Sequence, residues 1–230
     1  MNADNPILQF KDVTMAAAPL EYAGLNQVNA AFLPGTLSVI RVEPGNEVLP
    51  LADLAQGLLN PTEGSILFQG EDWNTMTAEQ ALAKRAQTSR VFDGHGWISN
   101  LNVNENVTLA QRHHTARPIA EILAEAEALA RAFGLRELPK VRPALMSRQD
   151  LRRAEWIRAF LGQPLLVLLE RPMRGVAREH LPRLSGAVQA ACQRKAAVLW
   201  LTDNDRIEQQ PGLPSAAHYA MRGMNLVKMA

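Results

Sequence analysis

Three short runs of apolar residues punctuate the chain: "LSVIRV" (37–42), "LLVLL" (165–169) and "AVLWL" (197–201). Each is bounded by Pro, Gly or charged residues, with helix-period segments between them. Strands that read as near-continuous apolar runs are covered on both faces, as in a mostly parallel sheet flanked by helices. Near the start, "ILQFKDV" alternates, and "GSILFQG" (64–70) places Ile66 and Phe68 on one face. These two segments predict half-exposed antiparallel strands. In "PIAEILAEAEALARAFGL" (118–135), Ile122, Leu123, Ala126, Leu129, Ala130 and Phe133 form one apolar stripe, read as core packing. Pro118 suits the first turn of that helix and Gly134 its end. "RPALMSRQDLRRAEWIRAFLG" (142–162) begins another helix. A shorter apolar helix runs from Val48 through Leu51, Leu54, Ala55 and Leu58 and stops before "NPTEG" (60–64). The alternation of these elements predicts an α/β fold.

Composition narrows the class. A chain of 230 residues holds one domain, or a core with an inserted lobe. With 47% hydrophobic and 20% charged residues it can bury a core, which excludes global disorder. The balance of 24 basic against 23 acidic residues gives no reason to expect nucleic acid as a partner. Cys192 is the single cysteine, so an intrachain disulfide and a cysteine metal cluster are both excluded. The start lacks a signal-peptide pattern. No stretch approaches the roughly 20 apolar residues of a membrane span. The expectation is a soluble cytoplasmic protein whose membrane role runs through a partner.

Candidate chemistry outside a family pattern is sparse. His113 and His114 are adjacent, so on a helix they point apart, and no ligand follows at metal spacing. They read as a solvated helix start. Gln111 and Arg112 beside them read as a surface turn. G-x-S-x-G is absent, so no nucleophile elbow is predicted. No metal site is expected.

Taken in order, four segments resemble an ATP-binding-cassette (ABC) ATPase over nearly the whole chain: "PTEGSILFQG" (61–70), "NLNVNENV" (100–107), "RRAEWIRAFLGQPLLVLLERP" (152–172) and "VLWLTDND" (198–205). "VFDGHGWISNLNVNENV" (91–107) is most similar to the ATP-binding subunits of Mla/MCE-type phospholipid transport. The resemblance implies a P-loop NTPase-like core with a mostly parallel sheet, a small antiparallel β subdomain and an inserted helical subdomain. It implies one ABC ATPase-like domain over 1–230, with 1–92 and 164–230 as the α/β core and 93–163 as the helical lobe. It also implies a permease subunit as partner, a homodimer or a heterodimer with an ABC ATPase subunit, and a place on the inner membrane through that permease.

The family's phosphate loop reads G-x-x-x-x-G-K-[ST]: glycines wrap the phosphates, lysine neutralises charge and the hydroxyl holds Mg²⁺. Alignment through "GLLNPTEG" sets Val42 and Glu47 at the outer glycines, Val48 at the lysine, and Leu49 and Pro50 at the hydroxyl positions. Only Gly45 is kept. Glu43 and Glu47 put carboxylates by a helix N-terminus, where they also suit the dipole as ordinary first-turn acids. A carboxylate ~5 Å from a phosphate charge at a dielectric of ~20 costs roughly 3 kcal/mol. The family's Asp-Glu after its apolar strand is Glu170-Arg171 here, and Arg171 stays protonated and cannot act as a base. Glu170 retains a carboxylate able to reach a metal through water. The family's glutamine is Asp93, its switch histidine is Asp203, and the aromatic that stacks on adenine falls near Ala16 or Ala17, with Tyr22 out of register.

The signature LSGGQ reads "MSRQD" (146–150). Ser147 matches the signature serine, and Ser147 with Asp150 also makes a helix capping box. Arg148 and Gln149 replace glycines. Trp97 and Ile98 follow the position where the family forms its permease-docking groove; they serve that groove or pack into the helical lobe. The resemblance implies a catalytically degenerate cassette, with no bound cofactor expected although ATP and Mg²⁺ are the family ligands. The alternative is an active or partner-complemented ATPase subunit.

Overall fold

The computed structural model describes residues 5–18, 22–42, 49–94, 96–204, 207 and 213–229. The elements begin with β1 (Leu8–Met15), β2 (Leu25–Phe32), β3 (Leu37–Arg41), α1 (Leu51–Ala55), β4 (Glu63–Phe68), β5 (Glu71–Asp72), α2 (Ala78–Arg85) and β6 (Thr88–Val91). They continue as α3 (Val103–His114), α4 (Ile119–Ala132), α5 (Arg148–Phe160), β7 (Leu166–Glu170), α6 (Leu181–Gln193), β8 (Ala197–Thr202), β9 (Ala216–Arg222) and β10 (Asn225–Lys228). One sheet, in the order β2-β1-β4-β5, is antiparallel throughout. The other, β10-β9-β3-β8-β7-β6, is parallel from β9 to β6 and antiparallel only at β10. The fold is α/β, with a mostly parallel sheet and an antiparallel β subdomain.

The three apolar runs are the centre of the parallel sheet, and their side chains alternate between two cores. Val167, Leu169, Val198 and Trp200 enter the core built with α3–α6. Leu166, Leu168, Leu199 and Leu201 enter the core shared with α1 and the antiparallel sheet. A period of two with both faces covered is why these runs are mainly apolar, Ser38 and Arg41 of β3 being the polar exceptions. Ile66 and Phe68 lie together in the second core, as their spacing predicts.

Three local readings are corrected. The helix through Leu58 ends at Ala55: Gly57 turns left-handed (φ 61°), a Cβ there would lie 2.6 Å from the Trp73 ring, and Leu58 is left 54% exposed. In α4, Ile122, Ala126 and Ala130 are buried but Leu123 is exposed, because the stripe covers only one side of the helix. His113 and His114 are the last turn of α3 rather than the start of a helix. Arg112 in the same turn suits the negative end of the helix dipole.

"NPTEG" owes its glycine to backbone packing. Gly64 (φ 82°) sits where the β1–β4 ladder shifts register between Lys11 and Thr14, and an added Cβ would lie 2.4 Å from the carbonyl oxygens of Lys11 and Asp12. Gly64→Ala is expected to destabilise the protein by more than about 1 kcal/mol, read as a lowered urea midpoint at unchanged m. Among the described residues no helix is long and apolar enough to cross a membrane.

Candidate functional site

Because β6, β7 and β8 are parallel neighbours, their C-terminal ends fall on one edge of the sheet, where α/β folds place ligands. Asp93 follows β6, Glu170 ends β7 with Arg171 next, and Asp203 follows β8. The structure therefore brings together four residues that the sequence separates by up to 110 positions (93 to 203). Arg171 Nη1 lies 2.6 Å from Asp93 Oδ2, and its Nε lies 3.1 Å from Asp203 Oδ2. Arg174, which the sequence reading did not single out, pairs with the same two acids at 2.7 and 3.5 Å. Two cations and two carboxylates thus close a ring. Arg171 is held in the left-handed region (φ 41°) while its N–H donates to the Leu201 carbonyl at 2.9 Å, tying β7's end to β8.

A second ion-pair cluster lies behind the ring. Arg90, on β6, grips Glu170 with two parallel bonds: Nε to Oε2 at 2.7 Å and Nη2 to Oε1 at 3.0 Å. Its Nη1 donates to Asp53 Oδ1 on α1 at 2.6 Å. Glu170 Oε2 also accepts the Asp93 N–H at 3.3 Å. Both partners are buried, Arg90 at 8% exposure and Glu170 at 4%. Burial pushes the Glu170 carboxyl upward and Arg90 opposes that push. For Arg90, burial acts downward, and the two carboxylates outweigh it and hold the guanidinium above its ordinary value. The fork geometry is the strong form of a charge-assisted pair. Both Glu170 oxygens are engaged by Arg90. Among the described residues no group of three or more His, Cys, Asp or Glu side chains gathers as metal ligands.

The space enclosed by Val42, Leu49, Asp93, Glu170, Arg171 and Leu201 is a cavity of ≈ 10 Å³. Leu49 and Pro50 are themselves buried just before α1. Glu43, Gly45, Glu47 and Val48 lie outside the described residues. Tyr22 is partly buried against the second core and forms an isolated β-bridge with Ala18; Ala16 and Ala17 are exposed.

The segment after β6 is clamped from α5. Arg152 donates to the Phe92 and Asp93 carbonyls, and Arg158 donates to the Gly96 carbonyl. Asn106, 3% exposed on α3, accepts the Ile98 N–H and donates to the Ile98, Leu101 and Asn102 carbonyls. This explains an asparagine inside "NLNVNENV". Beneath the clamp, Glu155 pairs with Arg152 at 2.6 Å, yet burial pushes its carboxyl up to about 7 against the pull of Arg152 and Arg158. A folded-state value above the ordinary 4.5 means that the native state holds the proton more tightly. Stability from this group therefore falls as pH rises from about 4.5 to about 7 and is flat above. Glu155→Gln is expected to remove that slope, measured as urea midpoints across this window.

The two docking candidates part company. Trp97 is partly buried against the helical core with the Arg158 guanidinium 5.1 Å from its ring centre. Ile98 is 43% exposed and lines a groove of ≈ 300 Å³ between α2 and α3. At the signature-like segment, Ser147 caps α5 by accepting the Asp150 N–H at 3.1 Å. The reciprocal half of the predicted box is not made, because the Asp150 carboxylate turns to Arg153. Gln149 Oε1 accepts the Ala177 N–H at 2.9 Å, and Arg148 is exposed.

A family model described as ABC transporter matches residues 50–174. The chain is 29% identical over 165 residues to the intermembrane phospholipid transport system ATP-binding protein MlaF of Escherichia coli (strain K12), covering 69% of this chain and 61% of that protein. It is 27% identical over 183 residues to the phosphonates import ATP-binding protein PhnC 2 of Rhodopseudomonas palustris, covering 77% and 64%. It is 29% identical over 163 residues to the lipoprotein-releasing system ATP-binding protein LolD 1 of Rhodopirellula baltica, covering 70% of each. The chain thus spans less than two thirds of the length of the first two of these relatives. Among solved structures, an ATP binding subunit of an ABC transporter superposes with a TM-score of 0.82 at 19% identity, covering 97% of this chain and 89% of that one. A dimeric bacterial ABC transporter cassette gives 0.82 at 18% identity, covering 95% and 96%.

Proposed function

The chain belongs to the ABC transporter family, and we propose that within it the protein is a cassette subunit that has exchanged its hydrolysis centre for a structural one. The observation that carries this reading is the closed ring of Arg171, Asp93, Arg174 and Asp203. At 93, 171 and 203 the family resemblance calls for glutamine, glutamate and histidine. Here those positions spend their charge on each other. Mg²⁺ and a triphosphate do not fit the residues present: Glu170 is occupied by Arg90, and a guanidinium stands where a water-polarising carboxylate is needed. Val48 in place of the lysine, with Glu43 and Glu47 beside it, supports the same reading from the sequence.

The protein then serves as a docking and structural subunit. The names of two relatives, one for intermembrane phospholipid transport and one for lipoprotein release, support a lipid-transport complex, and the groove at Ile98 supports seating on a membrane-embedded subunit. In this reading 93–163 form the docking lobe on an α/β core of 1–92 and 164–230, and Ser147 serves as a helix cap rather than as a contact to a partner's nucleotide. The test is phosphate release by the purified chain in saturating Mg-ATP. It is expected to match a protein-free blank. Turnover on the order of 1 s⁻¹, the low end for ordinary enzymes, that follows the protein through two orthogonal purification steps overturns the reading.

A further inference from the structure

Between β6 and α3, the described residues 92–94 and 96–98 belong to no strand or helix. Side chains hold them in place. Arg152 and Arg158 of α5 donate to the Phe92, Asp93 and Gly96 carbonyls, and Asn106 of α3 accepts the Ile98 N–H at 2.8 Å. A segment fixed by side chains, with no ladder of its own, opens locally at less cost than a strand. Gly94 has no atom within 4 Å of an added Cβ, whereas a Cβ on Gly96 would lie 2.6 Å from the Phe92 ring and 3.1 Å from Arg158 Nη2. The segment is therefore open at Gly94 and pressed onto α5 at Gly96.

Glu155 lies beneath this contact, 1% exposed. Its Oε2 meets Arg152 Nη1 at 2.6 Å, while its Oε1 is buried with no hydrogen-bond partner among the described residues. Beside it, Trp97 Nε1 and Arg158 Nε and Nη2 are buried and unpartnered as well. An ionised carboxylate offers about four acceptor sites, and here only one of its oxygens is met. A buried charge left in this state gains from water, which reaches Oε1 when the segment above it lifts.

Burial holds the Glu155 carboxyl at about 7 against the pull of Arg152, Arg158 and Trp97. With the segment seated, the group keeps its proton up to about that pH; lifted into water, it returns toward 4.5. Ionisation therefore favours the lifted segment, and protonation the seated one. Nearby charges on other elements are committed: Arg90 of β6 pairs with Glu170 of β7 and Asp53, and Asp93 with Arg171 and Arg174. From α3 come Asn106 and, along the groove that Arg158 lines, His114; α4 turns Ile122, Ala126 and Ala130 to the shared core, as α6 does Leu184 and Val188. His95 lies outside the described residues.

We propose that Gly96, Trp97 and Ile98 form a proton-controlled latch over α5: protonated Glu155 seats them on the helix, and the ionised carboxylate lifts them. The Asp93 end stays anchored in the ring, so the movement falls on the groove wall that carries Ile98. The inference needs no occupant in that groove and stands apart from the docking role.

The test is hydrogen exchange of the full-length chain at single amides, corrected for the intrinsic rate. The Ile98 amide is expected to be less protected than the β8 amides at every pH, because it opens locally. Its protection is expected to fall at least about tenfold between about pH 5 and about pH 8. Glu155→Gln, which mimics the protonated acid, is expected to hold that protection within about twofold over the same window. Should this variant misfold, Gly96→Ala takes its place: its Cβ wedges the segment off α5, so protection is already low at about pH 5 and changes less than about threefold above it. Ile98 protection equal to that of β8 means that the segment opens only on global unfolding, and overturns the inference. A flat wild-type profile also overturns it. So does a tenfold step that survives in Glu155→Gln, which assigns the titration to another group.

Discussion

Arg90→Ala is expected to lower the stability of the folded chain by about 3–5 kcal/mol, the usual cost of breaking a buried ion pair from one side. The residue joins three elements: its own strand β6, Glu170 at the end of β7, and Asp53 on α1. Removing the guanidinium leaves Glu170, 4% exposed and already pushed upward by burial, with the Asp93 N–H as its remaining hydrogen-bond partner among the described residues. Asp53 is more accessible and returns to water at lower cost. Because the penalty comes from the stranded carboxylate, replacing both partners with apolar residues of similar shape, Arg90→Met with Glu170→Leu, is expected to recover most of it. Urea unfolding of the two singles and the double forms the cycle that separates the coupling from the burial. A loss under about 1 kcal/mol for Arg90→Ala, the range of a surface pair, contradicts this account of the cluster.

The second large effect concerns an attempted repair. Arg171→Glu returns the family's carboxylate to its place after β7, and in an ordinary cassette it moves toward activity. Here it is expected to cost roughly 3–5 kcal/mol and to yield no turnover. Three carboxylates then face one another across the sheet edge with Arg174, itself half exposed, as the remaining cation of the ring. Adding Asp93→Gln and Asp203→His in the same chain removes the repulsion and is expected to restore most of the stability. The triple variant still lacks hydrolysis, because Val48 stands where the family's lysine belongs. Stability that is unchanged in Arg171→Glu alone shows that the ring carries no structural load.

β3, β7 and β8 were legible because short, mainly apolar runs bounded by breakers are covered on both faces. The antiparallel pair was legible from its alternation. β6 was not: "TSRV" contains one apolar residue, and its arginine is buried only because Glu170 and Asp53 meet it from elements 80 and 37 residues away. The early end of α1 depends on Trp73 packing over Gly57, a contact invisible in the helix's own periodicity. The altered positions 93, 171 and 203 were each readable by motif order. Their mutual pairing was not, since it arises from the shared edge of three parallel strands, and Arg174 belongs to no motif at all. Ser147 illustrates the reverse case: the cap was legible, but its expected partner Asp150 was captured by Arg153 one turn along α5.

The central claim, that the edge where this family holds nucleotide has become a self-neutralised structural joint, is tested most directly by calorimetric titration of the purified chain with Mg-ATP. The account predicts no saturable heat below ~1 mM, equivalent to a binding free energy weaker than about −4 kcal/mol, and no upward shift of the unfolding temperature over the same range. Saturable one-to-one binding in the micromolar range, with the matching thermal shift, contradicts it.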